Sequence, residues 1–139
     1  MTYEIVRDID NHIAHWVCNG LHEPANWLGD NLTYGFSDGT KMLGGLIFHD
    51  YTAHHSVWWT VYAPDRHWCT RRMLRQMFQT AFVGLDCKRI NLLVSASNVV
   101  SLKFVQRLGF KTEGLLRKFR DNGEDCYFFG MLKEECPWL

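Results

Sequence analysis

Three arginines stand together where cations are least expected. Arg71, Arg72 and Arg75 open a segment, Thr70 to Val83, in which Met73, Leu74, Met77, Phe78, Ala81 and Phe82 recur at three- and four-residue spacing. That period predicts an amphipathic helix with Gly84 as its C-cap. The first turn of a helix carries partial positive charge, so each cation there costs roughly 0.3–1 kcal/mol. Two readings fit: the arginines and the free backbone N–H groups hold a phosphorylated ligand, or they are solvated side chains that tolerate the dipole or pair with acids elsewhere. Asn98 and Ser101 open a second such segment, Val99 to Leu108, which closes on Gly109-Phe110. Helix capping alone accounts for Asn98 and Gly109, since both are favoured cap residues.

Other reactive residues are scattered. His12 and His15 lie three apart with His22-Glu23 nearby, but no spacing completes a ligand set, and no metal site is expected. His49, His54 and His55 surround a strand connection; they read as solvated turn residues, or one of them as a base titrating near neutrality. Cys69 sits beside cations at a helix start. It is either a nucleophilic thiolate or a free cysteine packed against Trp68.

The elements that must position these groups follow from periodicity and turn residues. Asp10 to Val17 places Ile13, Trp16 and Val17 on one helical face, with Asp8 or Asp10 as the cap, and residues 18–31 read as a loop with one helical turn. Leu32 to Phe36 and Met42 to Tyr51 flank Ser37-Asp38-Gly39-Thr40 as a hairpin, with a bulge expected at Gly44-Gly45. Val57 to Ala63 and Arg89 to Val94 are apolar enough for strands buried on both faces, Pro64 ending the first. With the helix between them they make a right-handed βαβ unit. Phe110 to Arg120 and Glu124 to Lys133 form a last hairpin about Asp121-Asn122-Gly123. The order α-β-β-β-α-β-α-β-β predicts an α/β fold around a mixed sheet.

Composition sets the outer bounds. The 139 residues are 47% hydrophobic and 22% charged, which suits one globular domain spanning 1–139. No apolar run reaches the roughly 18 residues of a membrane span, and the opening MTYEIVRDID lacks the pattern of an export signal. Five cysteines without a C-x-x-C pair predict free thiols in a reducing cytoplasm. Fifteen basic residues balance fifteen acidic ones, which removes the bulk electrostatic footprint of a general nucleic-acid binder. The basic patches at residues 66–75 and 111–120 still leave one non-enzymatic alternative, a single-stranded nucleic-acid or protein-binding module.

The stretch from Asn98 to Arg117, N-V-V-S-L-K-F-V-Q-R-L-G-F-K-T-E-G-L-L-R, resembles the motif N-x-x-(A/S)-x(7)-G-F-x-x-E-G-x-x-R of the GNAT N-acetyltransferases. Asn98, Ser101, Gly109, Phe110, Glu113, Gly114 and Arg117 fall in register, as in ribosomal-protein N-terminal acetyltransferase relatives. The element order from about residue 32 onward is similar too. The ending, with Asp125, Met131-Leu132 and Glu135-Cys136-Pro137-Trp138, is similar to short single-domain members of phage and bacterial genomes.

The resemblance implies a GNAT-like, mostly antiparallel central sheet with a parallel βαβ unit and flanking helices. It also implies acetyl-CoA as donor. Pantetheine would pair with the backbone at Trp59, Val61 and Ala63, the pyrophosphate would meet Arg66, Thr70, Arg71 and Arg72, and Asn98 and Ser101 would complete the cofactor site. Two departures stand out. In the loop motif (Q/R)-x-x-G-x-(G/A), Cys69 and Arg71 replace glycines, and Val105 stands where many members carry a tyrosine acid. Strand 57–63 also lacks the glutamate some members use as base. What remains is direct attack of an amine on the thioester, with Ser101 or water handling protons. The acceptor is a protein N-terminus, a lysine or a small amine; an α-amino group near pKa ~8 loses its proton more readily than a lysine near ~10.4. The aromatic end Pro137-Trp138 offers a surface for a homodimer.

Overall fold

A segment as apolar as VWWTVY belongs inside a sheet that is covered on both faces. The computed structural model describes residues 4–7, 11–65 and 67–139. In chain order they form β1 (Glu4–Arg7), α1 (His12–Gly20), β2 (Asn31–Ser37), β3 (Met42–Thr52), β4 (Ser56–Tyr62), α2 (Arg71–Gln79), β5 (Arg89–Ser95), α3 (Val99–Leu108), β6 (Lys111–Leu116) and β7 (Cys126–Leu132). The sheet order is β1-β2-β3-β4-β5-β7-β6, so VWWTVY is the central strand. β1/β2, β2/β3, β5/β7 and β6/β7 pair antiparallel. β4 neighbours β5 through the crossover helix α2, the connection that a parallel pair requires. The mixed, mostly antiparallel α/β architecture expected from the sequence is therefore present.

Contacts gather the chain into two compact units, Met1–Tyr51 with Trp58–Met77 and Thr52–Val57 with Phe78–Leu139. In the first unit, Ile13, Ala14, Val17 and Cys18 of α1 pack on Ile47 of β3, with Leu21, Ala25, Leu28 and Tyr62 around them. Helix α1 starts and ends later than expected. Its N-cap is Asn11, with φ 60 and no side-chain cap, while Asp8 and Asp10 lie outside the described residues. Gly20 continues the helix instead of breaking it, and the ring of Tyr62 fills the space a Cβ would take. Strand β1 was not anticipated, since four residues are too few to show a period.

The hairpin β2/β3 turns at Gly39, φ 93, and the Asp38 carboxylate accepts the N–H groups of Thr40 and Lys41 at 2.9 and 3.0 Å. The expected bulge falls one residue earlier. Phe36 pairs with Gly44 and Ser37 with Met42, leaving Leu43 unopposed. Gly44 and Gly45 serve close approach instead: a Cβ on them would meet Trp68 at 3.1 Å and Val17 at 2.6 Å.

In the second unit the helix that begins as α2 does not end on a left-handed Gly84. Thr80–Gly84 widens into a π-helical turn, in which Leu85 N–H reaches Thr80 C=O at 2.8 Å. Asp86, φ 53, takes the left-handed position. Helix α3 has the predicted bounds and closes on Gly109, φ 112, with Phe110 N–H bonded to Val105 C=O at 3.1 Å. The last hairpin has shorter strands and a longer connection than its sequence suggested. Residues 117–125 are fixed by Lys118 N–H on Asp125 Oδ1 at 2.8 Å and by Arg120 N–H on Glu124 C=O at 3.0 Å. Trp138 packs on its own chain, stacked 6.2 Å from Phe78 and donating to Leu108 C=O at 2.9 Å.

Candidate active site

Within the first unit, β4 delivers the chain to the start of α2. The connection is pinned by Trp68, whose buried ring lies 5.0 Å from Phe36 and rests on Gly44. Asp65 organises the turn before it, accepting the N–H of His67 at 2.8 Å and lying 3.8 Å from Lys41 Nζ. The His67 N–H and then the nearby cations hold the Asp65 carboxyl below its ordinary range. Thr70 is the N-cap of α2: its hydroxyl accepts Met73 N–H at 3.2 Å and its C=O accepts Leu74 N–H at 3.0 Å.

That cap leaves the first helical turn with Arg71 and Arg72 and no acidic residue. Arg71, Arg72 and Arg75 are all exposed at this end. The arginines thus cluster at the start of the helix that the sequence predicts, with no acidic residue in the same turn. Arg66 lies outside the described residues. Trp59, Val61 and Ala63 lie along or just after β4 in the same unit, Trp59 buried, Val61 half-buried and Ala63 exposed.

Cys69 is not activated by its cationic surroundings. Burial pushes its thiol up to about 12, and Sγ donates to Thr70 C=O at 3.6 Å, so it stays a protonated packing group. All five cysteines are free.

In the second unit, Asn98 and Ser101 meet as the sequence predicted. The Asn98 side chain accepts Ser101 N–H at 3.2 Å, and Leu102 N–H bonds to Asn98 C=O at 3.0 Å. Ser101 is half-buried, and Val105, one turn on, is buried and offers no proton. Motif residue Glu113 has a structural task. The register shift between Thr112 and Gly114 bulges it out of β6, and it forms an ion pair with Arg89 across Gly130, whose missing side chain leaves room for both groups. In the basic stripe 111–120, Lys111 is bound to Glu135 and Arg120 donates to Ser95 Oγ at 3.1 Å. These two cations are committed within the fold.

One group was misplaced by sequence reasoning. His49 is a residue of β3 and not of a solvated turn; its ring bonds Asp50 at 2.6 Å and Thr60 Oγ1 at 2.8 Å. Asp50 and Thr60 were not singled out. The turn after β3 is closed by His55 N–H on Thr52 C=O at 2.9 Å. His54 is exposed and lies 3.0 Å from Asp86.

Among the described residues no group of three or more His, Cys, Asp or Glu is arranged to hold a metal ion, and no helix is long and apolar enough to cross a membrane. No protein-family model matches the chain, and no curated protein does. Solved structures do. A mutant form of the spermidine/spermine N-acetyltransferase SpeG from Vibrio cholerae aligns over 96% of this chain and 96% of its own, at 15% identity and TM-score 0.72. A further mutant of the Vibrio cholerae spermidine N-acetyltransferase SpeG aligns over 99% and 96%, at 13% identity and TM-score 0.75. The chain has the fold of these N-acetyltransferases. The likeness extends over nearly the whole chain.

Proposed function

We propose that the two units act as one GNAT acetyltransferase domain, 1–139, that transfers acetyl from acetyl-CoA to a primary amine. The observation that carries this reading is the near-complete fold likeness to N-acetyltransferases. The acid-free, arginine-bearing start of α2 directly after the central strand supports it. In this reading Arg66, Thr70, Arg71 and Arg72 meet the pyrophosphate. Backbone groups at Trp59, Val61 and Ala63 hold the pantetheine, and Asn98 and Ser101 are further cofactor-binding residues.

The amine attacks the thioester directly in a ternary complex. A Cys69 thiol held near pKa about 12 is a poor candidate for an acyl intermediate. Ser101 assists departure of the thiolate, whose own low basicity makes a strong acid unnecessary. The neighbours named for spermidine and spermine favour a small aliphatic amine over a protein N-terminus as the first acceptor to try.

The test is CoA release from acetyl-CoA across a panel containing spermidine, butylamine and a short peptide with a free N-terminus. Amine-dependent release with a matching gain of one acetyl group on the acceptor supports the reading. Release that is independent of every amine overturns it.

A further inference from the structure

Consecutive side chains in a strand point to opposite faces, yet on β3 the carboxylate of Asp50 lies 2.6 Å from Nδ1 of the preceding His49. The backbone explains how. Asp50 has φ 48, a left-handed conformation at the outer end of an extended strand, and this turn returns its side chain to the imidazole. Aspartate adopts this region more readily than most non-glycine residues. The other ring nitrogen, Nε2, lies 2.8 Å from Thr60 Oγ1 on β4. An ionised Asp50 can only accept, so Nδ1 carries the proton and Nε2 presents its lone pair to the Thr60 hydroxyl.

The surroundings suit a base that serves a cation. The His49 side chain is 11% exposed, and the Trp27 ring stands edge-on over it at 4.7 Å. Trp27 is presented outward because Ala25 and Leu28 of the same loop pack inward on α1. Opposite His49 on β2 is the neutral Asn31, and the charges acting on the ring are those of Asp50 and Glu23. Burial holds His49 below its ordinary value, and these two carboxylates offset part of that. The imidazole is therefore neutral at neutral pH and free to take a proton.

We propose that His49 is the proton acceptor for a bound primary ammonium, reached through the hydroxyl of Thr60, with Asp50 fixing the tautomer and Trp27 limiting water. This rests on the N-acetyltransferase reading above and names the base that reading lacks. The ammonium gives one proton to Thr60 Oγ1 as the Thr60 proton moves to His49 Nε2. The freed lone pair forms the C–N bond while the C–S bond breaks. The second N–H proton ends on the CoA sulfur, and the imidazolium returns its proton to solvent.

The experiment measures kcat/KM against pH from 5 to 9 with the amine panel above, for the wild type, His49→Gln, Thr60→Val and Thr60→Ser, together with Kd for CoA by calorimetry. The wild type should show an acidic limb below about pH 6.5. His49→Gln and Thr60→Val should each lose ~100-fold or more in kcat/KM near neutrality, with unchanged Kd for CoA, and His49→Gln should lose the limb. Thr60→Ser, which keeps the hydroxyl, should stay within about tenfold of wild type. If His49→Gln does not fold, the Thr60 pair carries the test. A limb that persists in His49→Gln, or a Thr60→Val enzyme within tenfold of wild type, overturns the proton path alone. Tight CoA binding without acetylation of any amine by the wild type overturns the transfer reading, and the proton path with it.

Discussion

Replacing Trp68 by alanine should both destabilise the protein and weaken CoA binding, because this one side chain anchors the connection from β4 to α2. The ring is buried, 5.0 Å from Phe36, and sits where a Cβ on Gly44 would approach it to 3.1 Å. The site cannot collapse onto itself, since Gly44 offers no atoms to fill the gap. Truncating a buried tryptophan costs about 3–5 kcal/mol. At ~2.1 cal/mol/K per residue, 139 residues give an unfolding entropy of ~0.29 kcal/mol/K, so the melting temperature should fall by ~10–17 °C. A control separates stability from function. Phe129→Ala on β7 empties a comparably buried site at a residue with no assigned part in cofactor binding, and should cost a similar amount. Calorimetric titration at a temperature where both variants are folded should show weaker CoA binding for Trp68→Ala and near wild-type binding for Phe129→Ala. A melting shift under ~3 °C, or equal Kd values in the two variants, would refute the anchoring argument.

Asn98→Ala should cost about 1 kcal/mol, ~3 °C in melting temperature, by removing the cap on Ser101 N–H, and Asn98→Ser should recover most of it. Arg71→Ala should weaken CoA binding and flatten its dependence on salt while the ligand-free protein becomes slightly more stable, because a cation has left a helix N-terminus. A stability loss without any change in CoA affinity would instead make Arg71 a structural residue. Cys69, held near pKa about 12, should resist alkylation by iodoacetamide at pH 8, and Cys69→Ser should retain most activity; rapid stoichiometric labelling of the native protein would contradict this. His49 has a folded-state pKa below the 6.5 of the unfolded chain, so the unfolded state binds more protons as the medium is acidified. Its contribution is complete above pH 6.5 and is lost as pH falls through the folded value. Urea titrations between pH 7 and 5 should therefore show a flatter decline of stability in His49→Gln than in wild type.

What could be read from sequence divides along the range of the interactions. Helix α3 was legible to the residue because its cap, its period and its terminal glycine are all local signals that agree. The arginine conflict at α2 was legible for the same reason: a helix dipole needs only the order of residues along one element. The end of that helix was not, because the π-helical turn at Thr80–Gly84 satisfies the backbone in a way that a glycine placed for a left-handed cap does not announce. Gly20 and Gly44-Gly45 misled, since a glycine needed for room beside Tyr62, Trp68 or Val17 looks the same in sequence as one needed for a turn. His49 was noticed, but its partners were not. Whether a strand histidine meets Thr60 depends on the register of β3 against β4, and whether it meets Asp50 depends on a single backbone angle. Neither leaves a period behind.

Acetylation of an amine by acetyl-CoA is the most direct measurement of the proposed activity. Incubation with acetyl-CoA carrying a labelled acetyl group, in the presence of spermidine and the other panel amines, should move the label to the amine nitrogen in step with release of free CoA. The protein itself should retain none of it. Label that accumulates on the protein, or CoA released at the same rate with and without an amine, would contradict direct transfer.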